Sequence, residues 1–518
     1  MIRYSGQEQP NLVGFVTPFE RDLDVENRWV KLSECVPWDE LADGYYRDMS
    51  SGMGRPAKDA RLVIGAVIIK HKLCLSDEET IEQIRENPYL QYFVGLKEYQ
   101  SEAPFVPTLF VEIRRRMGEE TFSDFHRAIV NAVEKRHRKK TDKAGETEGP
   151  DKPDKPDKPK RTHKGKMIVD ATVAEQAVRY PTDLGLLNES REIGEKLIDI
   201  LHKELGGEKK PRTYRQKARK DYLAIVKRRV PGSKIIRLGI RQQLQYVGRN
   251  LSHISKLLDR LDGGPIPLSH LLLRKYWIIQ QIYAQQDEMY RTKTQRCDNR
   301  IVSIHEPHVR PIVRGKQSKP VEFGAKLSVS LTETGLAGVD RISWEAFNEG
   351  GDLMSQVEKY KQLYGYLPEV VLGDPIYGTR QNRKELKDMG IRFAGKALGR
   401  PPKKTAENEA EIKRLKKLER EEYRQRIPIE GKFGQGKNGY GLDYIRAKTA
   451  RTSEAWIRSI FLVMNLIVLQ KAFLLASKTG AVCRISVQHT LDRMKIAFVT
   501  VFNPQYLPTL STRVWLAG

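Results

Sequence analysis

The apolar positions of this chain change their period twice, and each change predicts a different kind of structure. Near the N-terminus the spacing is helical. Leu62, Val63, Ala66, Val67 and Ile69 form a stripe that predicts a helix after Gly54-Arg-Pro56. Ser76-Asp-Glu-Glu79 is a capping box that opens a second helix, expected to end at Asn87-Pro88. Further helices are expected over 107–118 and 120–136, so residues 1–137 read as an all-α domain for DNA binding or dimerisation. The basic runs Arg114-Arg-Arg116 and Arg136 to Lys140 suit a helix-turn-helix-like reader, and a purely packing role fits the pattern as well.

From 138 to 165 apolar residues nearly vanish, and Asp-Lys-Pro recurs at 151, 154 and 157. Such a segment buries too little surface to offset its ordering entropy, so a disordered, extended tether is expected. Beyond it the pattern turns to strands. Lys166-Met-Ile-Val-Asp170-Ala-Thr-Val173 is the first, and segments 325–331 and 338–344 flank Thr332-Glu-Thr-Gly335 as a hairpin. Leu353, Val357, Tyr360 and Tyr364 mark an amphipathic helix, followed by strands at Glu369-Val-Val-Leu-Gly-Asp374 and Ile391-Arg-Phe-Ala394. Periodicity alone gives an α/β core with a mixed sheet over 166–476, interrupted by a helical insertion at 187–297. The tail, 477–518, hints at strand and receives no role.

Charge narrows the function. Lys and Arg outnumber Asp and Glu by 91 to 66, a net charge of +25 with a pI near 9.7. An excess of this size points to a polyanionic partner, nucleic acid first. Within the insertion, Lys209, Lys210, Arg212, Arg215, Lys217, Arg219, Lys220, Lys227, Arg228 and Arg229 interleave with Tyr214 and Tyr222, which predicts a DNA-contacting face. The chain starts without an apolar signal region, and the run Ile460 to Leu469 is short and contains Asn465, so a buried helix and no membrane are expected. Cys35, Cys74, Cys297 and Cys483 are scattered without a CxxC pair, which predicts neither a zinc site nor a disulfide framework and fits a reducing cytoplasm.

The candidate chemistry is acidic. Asp170 interrupts an apolar strand, where an ionised carboxylate is costly unless something cationic compensates it. Asp374 follows another such strand. A third segment, Tyr423-Arg-Gln-Arg426-Ile-Pro-Ile-Glu430-Gly-Lys-Phe-Gly-Gln-Gly-Lys437, spaces its functional groups as Y-x2-R-x3-E-x6-K. That spacing resembles the signature of bacterial insertion-sequence DDE transposases, in insertion-sequence families four and five. Asp170-Ala-Thr with Tyr180-Pro-Thr-Asp-Leu-Gly-Leu-Leu187 is similar to the family's first-aspartate segment, and Asp374 with Tyr377-Gly-Thr-Arg-Gln-Asn-Arg383 to its second. Gly54-Arg-Pro56 and the apolar run after it resemble the family's N-terminal helical domain.

The resemblance implies a ribonuclease-H-like core with Asp170, Asp374 and Glu430 as catalytic metal ligands. It implies two Mg2+ ions, with Mn2+ able to substitute, and DNA-phosphate contacts from Tyr423, Arg426 and Lys437. It further implies double-stranded DNA as partner (terminal inverted repeats and target), a homodimer in the DNA complex, and a cytoplasmic, nucleoid-associated bacterial location. A nuclease on the same fold without strand transfer, or a non-catalytic DNA-binding derivative, are the rival readings.

Four local expectations accompany this. Pro428 disfavours helical geometry at Ile427, so a helix is expected to open there with Glu430 in its first turn. Asp374-Pro-Ile-Tyr replaces the family's more usual Asp-x-Gly-Tyr, which stiffens that turn. Asp183 rivals Asp170 as the first aspartate, with turn-like flanks, and Trp344 and Trp456 read as core rather than as DNA-contacting aromatics.

Overall fold

The computed structural model describes residues 22–474 apart from 48, 50–55, 146–161, 207–208, 262–263, 314–319, 396–397, 400–404 and 406–407. Most of the expected linker and the tail from 477 therefore lie outside the described residues. The N-terminal region is all helix: α1 (Arg28–Cys35), α2 (Trp38–Tyr46), α3 (Ala60–Leu73), α4 (Asp77–Glu86), α5 (Pro88–Phe93), α6 (Leu109–Arg116) and α7 (Glu119–Gly145). The capping box forms as its sequence dictates, with Ser76 Oγ accepting the Glu79 amide at 3.0 Å. Asn87 ends α4 and caps α5, whose first residue is Pro88. The α1 and α2 helices carry little sequence signal because each is short, and their buried Trp29, Trp38, Tyr45 and Tyr46 follow no long apolar period.

The basic run at 114–116 is not all turned outward. Arg114 is buried and forks onto Asp77 at 2.9 and 2.7 Å, and Lys70 meets the same carboxylate at 2.9 Å. These cations hold α3, α4 and α6 together.

Six strands form one mixed sheet: β1 (Lys166–Glu175), β2 (Arg310–Val313), β3 (Val321–Thr332), β4 (Ala337–Ser343), β5 (Val370–Leu372) and β6 (Arg392–Ala394). Central β1 runs antiparallel to β3 and parallel to β5, and β6 extends the parallel side. The outer edge of β3 pairs with β2 at one end and β4 at the other. The expected hairpin is present, and Gly335 in its turn has φ +85°, which a Cβ would strain. The β2 strand, four residues long, is too short to give a period in the sequence.

Between β1 and β2 the chain builds a helical block: α8 (Asp183–Leu205), α9 (Arg215–Val226), α10 (Ser233–Asp259) and α11 (His270–Thr292). The α8, α10 and α11 helices share their own apolar cores around Leu187, Val247 and Ile282, and around Leu197, Leu201 and Ile254. This block therefore folds on its own contacts beside the sheet.

Four later helices complete the fold: α12 (Leu353–Tyr364), α13 (Arg380–Asp388), α14 (Glu409–Tyr440) and α15 (Ala450–Leu474). Alternation along β1 assigns them to faces. Met167 and Val169 pack with Leu353, Val357, Tyr360 and Leu386 of α12 and α13. Ile168 and Ala174, on the other face, join a core that includes Ile429 and Phe433 of α14, the α15 helix and the N-terminal helices.

The α15 helix is the buried helix expected around Ile460 to Leu469, and it extends well beyond that run. At 25 residues it is long and apolar enough to cross a membrane by length and composition, because helical residues flank the apolar run on both sides. Here it lies in the core, with Ile460 through Met464 buried. Asn465 explains its own presence there: its side chain accepts from the Ala337 amide at 2.9 Å and donates to the Ala337 carbonyl at 2.8 Å. It thereby completes the ladder at the start of β4. Asn465→Ala should destabilise the protein by about 2 kcal/mol, since both Ala337 groups would be stranded in the interior. Urea unfolding checks this, and a change below about 0.5 kcal/mol would show the pairing to be dispensable.

Candidate active site

Three separate elements deliver the predicted acids to one place. Asp170 sits mid-strand in β1, opposite Val329 of β3, on the face that α14 covers. Asp374 lies just past β5, in extended backbone (φ −64°, ψ 159°) before a 3-10 turn at Pro375–Tyr377. Pro375 opens that turn, where a fixed φ is an advantage and the missing amide proton is not needed. Glu430 projects from α14. Parallel pairing of Ile168 with Leu372 sets β1 and β5 side by side, which brings Asp170 and Asp374 to neighbouring strands.

The common point is Arg426. Its Nη1 lies 2.7 Å from Asp374 Oδ1 and 3.4 Å from Asp170 Oδ2, while Nη2 donates to Glu430 Oε1 at 2.7 Å. The Arg426 side chain is only 12% exposed, against 42% for Asp374 and 51% for Glu430, so the guanidinium is held inside the cluster.

This geometry depends on a feature that the sequence argued against. The α14 helix runs unbroken from Glu409 to Tyr440 with Pro428 inside it. An internal proline removes one backbone hydrogen bond and costs about 3 kcal/mol. Burial of Ile429, Phe433, Gly436 and Tyr440 along the same helix offsets that loss. Because the helix is continuous, Tyr423, Arg426, Glu430 and Lys437, at offsets of 3, 7 and 14 from the first, share one face. A helix that opened at Pro428 would have left Arg426 on an approach loop.

Electrostatics follow from the arrangement. Burial pushes the Asp170 carboxyl up to about 6, and the nearby charges of Asp374 and Glu349 act in the same direction. The Ala171 amide, donating to Asp170 Oδ1 at 2.8 Å, and the Arg426 guanidinium oppose the shift without cancelling it. Burial works against the charge of Arg426, and the carboxylates of Asp374, Asp170 and Glu430 together outweigh it, leaving the guanidinium more firmly protonated than usual.

Glu349 is a neighbour that no motif flagged. It belongs to the turn Glu349–Asp352 and is held by Lys326 of β3 at 2.7 Å. This turn rests directly on the one that follows Asp374: a Cβ at Gly350 would lie 2.5 Å from the Ile376 carbonyl oxygen. Only glycine permits that approach, and the Asn348-Glu-Gly-Gly-Asp352 sequence was the available signal.

The remaining sequence candidates fall elsewhere. Lys437 Nζ is 3.8 Å from Glu322 Oε1 at the far end of β3, two helical turns from Glu430. Tyr423 is 61% exposed, with the Arg426 guanidinium 5.4 Å from its ring. Asp183 opens α8 and is engaged by Arg300 at 2.6 Å and Gln286 at 2.8 Å, a structural role away from the cluster. Trp344 and Trp456 are half-buried against the main core, as expected of them.

Glycines line the helix next to the acids. A Cβ at Gly431 or Gly434 would meet nothing, so packing within the chain does not demand glycine there. Gly431→Ala should raise stability by about 0.5–1 kcal/mol through helix propensity alone. Thermal denaturation tests this, and a loss of stability would contradict the open space around the residue.

The donor set is all oxygen, which suits a hard divalent cation such as Mg2+. In the present arrangement the cation among the carboxylates is Arg426, and among the described residues no group of three His, Cys, Asp or Glu side chains is disposed to hold a metal ion.

The molecule is thus a mixed-sheet α/β protein with an all-α N-terminal region and three carboxylates gathered around its central strands. Two segments of it are similar to transposase domains. Residues 371–467 match a family profile described as a transposase DDE domain, and residues 17–116 match one described as a transposase domain. The first match includes Asp374 and Glu430, whereas Asp170 precedes it. An uncharacterized protein of Rhizobium meliloti, ORF8 in the nfe locus, is 34% identical over 157 residues, 30% of this chain and 64% of the relative. The chain thus spans a little under two thirds of that relative's length. No solved structure matches the chain.

Proposed function

We propose that this chain is the DDE transposase of an insertion sequence, with a ribonuclease-H-like core. It would bind the element's terminal inverted repeats, hydrolyse a phosphodiester at each end and join the freed 3′-hydroxyls to target DNA. The observation that carries the reading is the meeting of Asp170, Asp374 and Glu430 around Arg426, from elements up to 260 positions apart in sequence. Matches to two transposase-domain profiles support it.

In this reading Asp170, Asp374 and Glu430 hold two Mg2+ ions, with Mn2+ able to replace them. When bound, such ions activate water and relieve charge on the leaving oxygen. Arg426 suits a bidentate phosphate grip, Lys437 a point-charge contact, and exposed Tyr423 a hydrogen bond to the same backbone. The interleaved basic residues of the α9 region extend that track along DNA.

The chain divides functionally into a helical N-terminal domain (1–137), a tether (138–165), the catalytic domain (166–476) and a tail. Because two ends must be handled together, a homodimer acts on DNA. The site of action is the cytoplasm, at the nucleoid.

The test incubates the full chain and Mg2+ with labelled duplexes cut from the DNA flanking its own coding sequence. Cleavage at a repeat end followed by joined products supports the transposase. Cleavage with free products only would make it a nuclease, and salt-sensitive binding without cleavage would make it a binding protein.

A further inference from the structure

One oxygen of each of the three carboxylates is met by a single side chain. A Mg2+ ion binds carboxylate oxygen at about 2.0–2.1 Å. The Arg426 nitrogens stand 2.7 Å from Asp374 and Glu430 and 3.4 Å from Asp170, in the space between the three acids. Two cations cannot share that space: they would compete for the same lone pairs and repel each other at close range.

We propose that Arg426 is a built-in counter-cation that keeps the carboxylates closed to metal until a DNA phosphate draws it away, so that metal and DNA bind cooperatively. The proposal rests on the reading of the acids as a metal site. Three observations favour exchange over a fixed structural bridge. First, Arg426 belongs to the same unbroken helix as Glu430, so its side chain can turn without unwinding the backbone that carries the acid. Second, the ring of Tyr423 lies one turn back at 5.4 Å and is 61% exposed, giving the guanidinium an aromatic surface on the way outward. Third, Gly431 beside Glu430 is exposed with open space around it, and it carries no side chain of its own to hinder an approaching phosphate backbone.

A phosphate is the right exchange partner. It offers the guanidinium the same planar, two-pronged acceptor that carboxylates do, with more charge at one centre. Reciprocity then requires that DNA tighten metal binding by the same factor that metal tightens DNA binding.

The experiment measures Mn2+ affinity of the full-length, metal-stripped protein by calorimetry and by the Mn2+ electron paramagnetic resonance signal. Wild type, Arg426→Gln and Arg426→Lys are compared without DNA, with circular dichroism to show that each is folded. The expected result is about tenfold tighter Mn2+ binding by Arg426→Gln than by wild type, within the usual range for coupled sites. Arg426→Lys should fall between them, because one compact ammonium cannot engage three acids at once. Wild type, which needs no variant, should gain a similar factor on saturation with a duplex from the flanking DNA, and Arg426→Gln should not.

Equal or weaker Mn2+ binding by folded Arg426→Gln, or a wild-type affinity indifferent to DNA, overturns the counter-cation. Wild type that binds Mn2+ through a site sensitive to Asp170→Asn, with that indifference, would leave the metal reading standing and only the exchange refuted. No binding by any of the proteins, with or without DNA, would refute both.

Discussion

Replacing Glu430 with glutamine is expected to reduce Mg2+-dependent cleavage of a DNA end at least about a thousandfold, the scale seen when one member of a catalytic unit is removed. DNA affinity measured without metal should stay within about threefold, or about 0.7 kcal/mol of binding free energy. The separation of effects is the point. Glu430 is half-exposed, so the change disturbs no core contact. Glutamine keeps an oxygen that can accept from Arg426 Nη2 and removes only the negative charge. A structural role would therefore survive the substitution, whereas a metal-ligand role would not. Single-turnover cleavage of a labelled duplex, with fluorescence anisotropy for binding, gives both numbers. Cleavage within tenfold of wild type would remove Glu430 from the catalytic set.

Asp170→Asn should make the metal-free protein more stable at pH 7.5 and leave it unchanged near pH 4. The sign follows from the carboxyl's raised value of about 6 against an ordinary 3.8. A raised carboxyl binds its proton more tightly in the folded state than in the unfolded chain. Its contribution to stability is thus fully present below about pH 4 and is lost as pH rises through about 6. At neutral pH the buried charge costs on the order of 1–3 kcal/mol, which the neutral amide avoids. Asparagine can still accept from the Ala171 amide, and the Arg426 contact that it weakens is the longest of the three, at 3.4 Å. Denaturant titrations across pH 4–8 in the presence of a chelator would show the difference opening as pH rises. Equal or lower stability of the variant at pH 7.5 would mean that Arg426 compensates Asp170 fully. Such a gain on removing a site carboxylate is the expected trade between stability and function.

Much of this was legible along the chain because the signals are local. An aspartate inside Met167-Ile-Val-Asp170 conflicts with its apolar neighbours wherever the strand goes. Ser76 and Glu79 meet across one helical turn, and Gly335 answers a backbone angle. Other features had no local signal. Glu349 reaches the site because two turns remote in sequence touch backbone to backbone at Gly350. The β2 strand is four residues long and exists only because β3 offers its edge. Local reasoning pointed the wrong way at Pro428, since a penalty read from one residue was outweighed by the buried face of the helix around it.

The sequence by itself determined the element types, the alternation of helix and strand, and which acids stood in unfavourable surroundings, since these depend on neighbours within a turn or a few strand positions. Only the tertiary structure decided that the three acids meet, that α14 passes unbroken through Pro428, and that Arg426 rather than Lys437 is the cation among them. Those outcomes depend on β1 pairing with β5 and on α14 burying Ile429 and Phe433 against the sheet. Burial summed over a whole helix outweighs the preference of any one residue in it, and no window along the chain contains that sum.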